Sequence, residues 1–195
     1  LLNRIILIIF ISTGSFLVYA EETNTNYAKT NWSFKGIFGT FDRASLQRGY
    51  QVYQEVCSGC HSVQHLSYRN LSEEGGPEFS IEEVKAIASQ FETEDGPNSD
   101  GEMFMRSARL SDKFISPYPN IEASTSANDG AYPPDMSVLA KARAGGADYI
   151  YSLLMGYEEP PEGIELDDGV YYNKYMPGNK IKMSEPVSDG IVEYS

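Results

Sequence analysis

From Ala44 to Val56 the apolar positions keep a helical beat: Leu46, Tyr50, Tyr53 and Cys57 are separated by steps of four, three and four. Such spacing lines one face, so it predicts a helix that carries Cys57 on its buried side and ends where the cysteines begin. Ser80-Ile81-Glu82-Glu83 is a capping box, and Val84, Ile87, Ala88 and Phe91 prolong it as one apolar face. A second helix is therefore expected there, stopping before Gly96-Pro97. Asp95 to Pro134 is dense in glycine and proline and reads as ordered loop. Asp135 stands where it can cap a short helix through Val138, Leu139 and Ala142 to Gly145-Gly146. Tyr149, Ile150, Leu153 and Leu154 make another, ending near Gly156. Trp32 to Phe41 alternates aromatic residues with glycine and suggests an irregular segment packed against the domain, and beyond Pro160 the chain is loop again. No strand pattern exceeds four or five residues and no repeat is visible. The class is mainly α, with long loops.

The first twenty residues differ from the rest. Arg4 precedes the apolar run Ile5–Ile11, a second apolar stretch follows, and Ala20 stands before Glu21-Glu22. A positive residue, an apolar core too short for a comfortable span and a small residue before a polar one make a secretory signal. Cleavage after Ala20 is expected, leaving one domain over 21–195, outside the cytoplasm.

The chain of 195 residues has 41% hydrophobic residues and a net charge of −13, which suits one globular domain and makes nucleic acid an unsuitable partner. The acids cluster at Glu92, Glu94, Asp95, Asp100 and Glu102, and again at Glu158, Glu159, Glu162, Glu165, Asp167 and Asp168. Each run is either a solvated face or a surface that steers a basic protein partner.

The two cysteines stand in Cys57-Ser58-Gly59-Cys60-His61, the C-x-x-C-H pattern of covalent c-type haem attachment. Two thiols one helical turn apart reach the two vinyl groups along one porphyrin edge, and the next residue's imidazole turns under the ring to bind iron. Small Ser58 and Gly59 leave room for the ring. A redox dithiol needs a βαβ setting that the sequence lacks. A zinc site from Cys57, Cys60, His61 and His65 has the right ligand count, yet neighbours Cys60 and His61 fit poorly on two corners of one tetrahedron. A large apolar cofactor also accounts for the loop content, because loops can wrap around it.

For the second axial position His65 is poorly placed, one turn after His61 on the same side. That leaves six methionines, each also a plausible core residue. Met183 follows the turn Pro177-Gly178-Asn179 and is placed to fold back over the far face, and Met176 beside Pro177 is the other candidate.

The chain also resembles a known family from about Trp32 to Tyr194. The likeness rests on Arg48-Gly49-Tyr50-Gln51-Val52-Tyr53, on Asp95-Gly96-Pro97-Asn98-Ser99-Asp100-Gly101-Glu102-Met103-Phe104-Met105-Arg106, and on Asn128-Asp129-Gly130-Ala131-Tyr132-Pro133-Pro134-Asp135. It continues through Ala142–Tyr149, Ser152–Tyr157, Glu159-Pro160-Pro161 and Pro177–Met183. These segments resemble cytochrome c1, the haem subunit of the ubiquinol:cytochrome c oxidoreductase. The resemblance implies a c-type cytochrome fold of a few short helices with long ordered loops around one covalently bound haem. It selects Met183 as the second axial ligand, and implies that Arg143 pairs with a haem propionate, that Pro133 and Pro134 border the His61 side, and that Asn128 and Tyr149 lie near the ring. It further implies electron transfer from a Rieske iron–sulfur subunit to a soluble or membrane-bound cytochrome c, beside a cytochrome b, with the chain alone catalysing nothing. The family normally continues into a carboxy-terminal membrane helix, which this sequence to Ser195 does not include. The short signal favours the periplasmic side of a bacterial inner membrane, the alternative being the intermembrane-space side of the mitochondrial inner membrane.

Overall fold

The computed structural model describes residues 26–194, and the signal expected over 1–20 lies outside them. Helix α1, Arg43–Val52, starts at Asp42, whose carboxylate accepts the Ser45 amide at 2.7 Å. Such a cap satisfies one of the amides a helix leaves unpaired at its start. The predicted helix does not run on regularly to the cysteines. Its last turn, Tyr53–Cys57, widens into a π-helical turn closed by the Ser58 amide on the Tyr53 carbonyl at 2.8 Å. Wide turns of this kind re-aim the side chains that follow.

After a 3-10 turn at Tyr68–Ser72 comes α2, Ile81–Ala88, with both halves of the Ser80–Glu83 capping box formed. It ends a turn earlier than its apolar face suggested. Phe91 lies past its end, and Glu92–Asp95 is strand β1, paired antiparallel with β2, Phe104–Ser107, in the register Glu92 to Ser107 and Asp95 to Phe104. Thus the stretch read as loop from Asp95 holds a hairpin strand, and further on the helix α3, Ile121–Ala127, capped by Asn120 on the Ala123 amide at 2.8 Å. Arg106 ties the hairpin down, ion-paired with Asp95 and, at 2.6 Å, with Asp112.

Two short helices follow, α4, Leu139–Ala142, and α5, Ala147–Leu154. A second small antiparallel pair, β3 (Tyr171–Tyr172) with β4 (Lys180–Ile181), flanks the turn Pro177–Asn179. The architecture is mainly α, short helices linked by long ordered loops, as the pattern predicts. No helix among the described residues is long and apolar enough to cross a membrane.

Packing falls into two regions. One is an apolar cluster of Val63, Tyr68, Leu71, Val84, Ala88, Ala108 and Phe114, joined by Met136, with Tyr68 stacked on Phe114 at 4.6 Å. The other gathers on α5. Tyr27 meets Tyr149 edge-on at 5.4 Å, Trp32 meets Tyr151 at 5.8 Å, and Trp32 donates its indole N–H to Asp148 at 2.6 Å. The aromatic–glycine segment Trp32–Phe41 is irregular, as expected, but only its start packs on α5, through Trp32 and Lys35, while Ile37 and Phe38 stand 95% exposed.

Candidate haem-attachment site

The Cys57–His61 turn is drawn tight by the Cys60 and His61 amides, which both donate to the Cys57 carbonyl at 3.1 and 2.9 Å. Cys57 is partly buried and Cys60 exposed, and no disulfide joins them. Burial pushes the Cys57 thiol up, helped by Cys60 beside it, so it stays protonated at neutral pH. A Cβ built on Gly59 meets nothing within 4 Å, so the turn presents open space where a flat ring has to approach.

His61 Nδ1 lies 2.9 Å from the Pro134 carbonyl. A carbonyl only accepts, so Nδ1 is the donor, and in the neutral ring the free lone pair is then on Nε2. A metal-ligating histidine is oriented in this way by its other nitrogen. The carbonyl is held in place from the next residue onward. Asp135 accepts from the Ser62 hydroxyl at 2.7 Å and the Gln64 amide at 2.8 Å through Oδ2, and from the Ser137 amide at 2.9 Å through Oδ1. Burial pushes the Asp135 carboxyl up, but these hydrogen bonds outweigh it and leave its pKa at about 2. Asp135 is therefore not the cap of α4, as its position in the sequence suggested. It folds into a local turn with Ser137 and spends its second oxygen across the chain, and α4 begins at Leu139 with Val138 at its N-cap and no side-chain cap.

Beside Cys60 opens a cleft of about 290 Å³, walled by Cys60, Ser62, Ile121, Ser124, Tyr132, Pro133 and the run Ser116–Asn120. Apart from Cys60 and Pro133, none of these was among the residues read as the site. The Pro117-Tyr118-Pro119 run was the available signal, a stiff segment whose destination only the tertiary structure shows. Two free thiols on one turn and an imidazole with Nε2 available fit a covalently held haem, while the cleft, which Cys57, His61 and Met183 do not line, lies to one side of them. Among the described residues no three His, Cys, Asp or Glu side chains converge as a metal site, so the zinc cluster through His65 is not formed.

The other expected residues are spread more widely. Met183 is partly buried, its carbonyl accepting the Tyr157 hydroxyl at 2.9 Å. Its neighbour Lys182 reaches the Asp129 carbonyl at 2.6 Å, which ties the Met183 loop to the segment that runs on to Pro133 and Pro134. Asn128 ends α3 and spends its amide N–H on the Ser124 carbonyl at 2.7 Å. Tyr149 packs on Tyr27, and Arg143 is exposed with no hydrogen bond or ion pair for its guanidinium among the described residues. Of the remaining methionines Met136 belongs to the apolar cluster, while Met103, Met105 and Met155 are more than half exposed.

Short helices linked by long ordered loops, with a C-x-x-C-H turn whose imidazole is oriented by a backbone carbonyl, are the c-type cytochrome fold. The chain belongs to the cytochrome c1 family, whose model matches residues 32–195. It is 45% identical over 194 residues to cytochrome b/c1 of Bradyrhizobium diazoefficiens, covering 90% of this chain and 28% of that one. With the mitochondrial cytochrome c1-2 heme protein of Solanum tuberosum it shares 50% identity over 163 residues, 84% of this chain and 62% of that one. The mitochondrial cytochrome b-c1 complex catalytic subunit of Candida albicans is 44% identical over 193 residues, 93% of this chain and 66% of that one. The chain thus spans from about a quarter to two thirds of the length of these relatives.

Proposed function

We propose that this chain is the one-electron relay of a ubiquinol:cytochrome c oxidoreductase, carrying one haem c attached through Cys57 and Cys60 with His61 and Met183 as axial ligands. In this reading it takes electrons from a Rieske iron–sulfur subunit beside a cytochrome b and hands them to a soluble or membrane-bound cytochrome c. It works on the periplasmic side of a bacterial inner membrane, or the equivalent mitochondrial side, as part of an assembly and with no reaction of its own.

The observation that carries the proposal is the 2.9 Å hydrogen bond of His61 Nδ1 to the Pro134 carbonyl, beside two unpaired thiols. The bound haem supplies the iron couple that exchanges one electron. Cys57 and Cys60 fix the ring against the turn, and His61 presents Nε2 to one face. The Lys182–Asp129 tie supports Met183 as the occupant of the other, where a thioether favours the reduced state and keeps small molecules out. Arg143, whose guanidinium has no partner among the described residues, suits a propionate. The exposed acids Glu162, Glu165, Asp167 and Asp168 suit a basic acceptor drawn in by long-range attraction.

The test is the visible spectrum of the haem-loaded chain, oxidised and reduced, for wild type, Met183→Ala and Met176→Ala. The expected outcome is a weak far-red ferric band that only Met183→Ala abolishes, together with carbon monoxide binding to that variant when reduced. Loss of the band in Met176→Ala instead transfers the ligand role to Met176. Free carbon monoxide binding by wild type points to a haem enzyme and ends the relay reading.

A further inference from the structure

The His61–Pro134 hydrogen bond lies in an exposed place, because the Pro134 residue is itself exposed and water competes for its carbonyl. Proline fixes φ, so the direction of that carbonyl depends on ψ of Pro134, which decides where Asp135 goes. The carbonyl and the Asp135 amide share one rigid peptide plane. Whatever pins Asp135 therefore aims the Pro134 oxygen.

Asp135 is pinned across a long sequence gap. Its Oδ2 takes the Ser62 hydroxyl at 2.7 Å and the Gln64 amide at 2.8 Å, on either side of buried Val63 and directly after His61. Two further bonds run alongside: the Met136 amide to the Ser62 carbonyl at 2.8 Å, and the His65 amide to the Ser137 hydroxyl at 3.0 Å. The two strips of backbone, 61–65 and 134–137, are zipped together with the carboxylate at the centre.

We propose that Asp135 is a positioning residue for the iron-binding histidine, its carboxylate clamping residues 62–64 so that the Pro134 carbonyl stays on His61 Nδ1. This rests on the reading of His61 as an iron ligand. A firm Nδ1–H bond to a carbonyl makes the imidazole a stronger donor and favours ferric iron. Loosening the clamp therefore raises the reduction potential and lets the Nδ1 proton exchange with solvent.

Asp135→Asn is the discriminating variant. If its amide oxygen keeps the Ser137 bond, its NH2 group stands where Oδ2 accepted from Gln64, setting a donor against a donor. Proton NMR of the reduced, haem-loaded chain is expected to show the His61 Nδ1 proton exchanging about tenfold faster or more, with a higher midpoint potential in the same sample. A variant that melts earlier but keeps wild-type Nδ1 exchange and potential makes Asp135 a structural staple only and overturns the proposal. If Asp135→Asn does not load haem, Ser62→Ala removes one donor to the same oxygen. A smaller acceleration in that variant supports the clamp, and a wild-type rate overturns it. His61→Ala separates the two layers. Loss of its low-spin spectrum leaves the ligand reading standing whatever Asp135 does, whereas an unchanged spectrum ends both.

Discussion

Phe114 is buried against Tyr68 by ring stacking at 4.6 Å, whereas Asn173, with no exposed surface, is held by hydrogen bonds from its amide to the Leu153 carbonyl at 2.7 Å and from the Tyr175 amide at 3.1 Å. The contrast extends to the regions around them. From Val63 to Phe114 the buried core is joined by rings and aliphatic side chains, with the Arg106 ion pairs to Asp95 and Asp112 at its edge. From Asn128 to Met183 the ties are largely polar and directional: Ser152 to the Ala28 amide, Asp148 to Trp32 and Lys35, Asp135 to Ser62 and Gln64, Lys182 to the Asp129 carbonyl. Apolar burial is strong but indifferent to direction, while a hydrogen bond fails within a few tenths of an ångström or a few tens of degrees. The region that must aim an imidazole, and on the proposed reading a thioether, is built from the interaction that specifies angles.

Removing a ring from the apolar region is the hardest blow to stability. Phe114→Ala is expected to cost about 3–5 kcal/mol in denaturant unfolding. It should leave the ferric far-red band intact in the fraction still folded. Loss of the band below the melting transition breaks the division of labour between the regions.

A methyl group at Gly145 tests the polar side. Its φ is +90° and an added Cβ falls 2.5 Å from the Tyr27 ring, so Gly145→Ala is expected to cost about 2–3 kcal/mol. Gly163 has nearly the same φ, +87°, with nothing within 4 Å, so Gly163→Ala costs only the backbone share, about 1 kcal/mol. Equal losses in thermal melts of the two variants remove the Tyr27 contact from the account.

The smallest effect is in acid. The Lys35 ammonium, with the Trp32 indole, outweighs burial and holds the Asp148 carboxyl down at about 2. A lowered folded-state pKa adds stability that is complete above the ordinary aspartate value near 4 and is lost as pH falls from there toward about 2. Asp148→Asn is expected to melt earlier at neutral pH and to flatten this part of the acid dependence. An unchanged slope between pH 4 and 2 means that the Lys35 pair contributes nothing.

How much was legible beforehand follows the range of the forces involved. The Ser80 capping box and the C-x-x-C-H turn are local patterns, and each forms where its residues stand. Asp135 has the composition of a helix cap, and only the arrival of Ser62 and Gln64 turns its second oxygen elsewhere. The hairpin Glu92–Asp95 with Phe104–Ser107 is poor in strand-forming residues, at odds with sequence preference. Its pairing is secured by Arg106 between Asp95 and Asp112. The π-helical turn before Cys57 escaped because helical periodicity assumes an unbroken α-helix. Of the site, the thiols and imidazole were plain from spacing. The cleft beside Cys60 was not, because Ser116–Ile121 reaches it only through the fold.

The hydrogen bond that orients His61 spans 73 residues, and the Lys182–Asp129 tie a further 53. Contacts this distant form only after long loops have closed, at an entropic cost that local turns do not bear. During synthesis the Cys57–His61 turn emerges first, its carbonyl partner far later and the Met183 loop last. The orientation of one imidazole thus records whether the chain has closed the loop from His61 to Pro134.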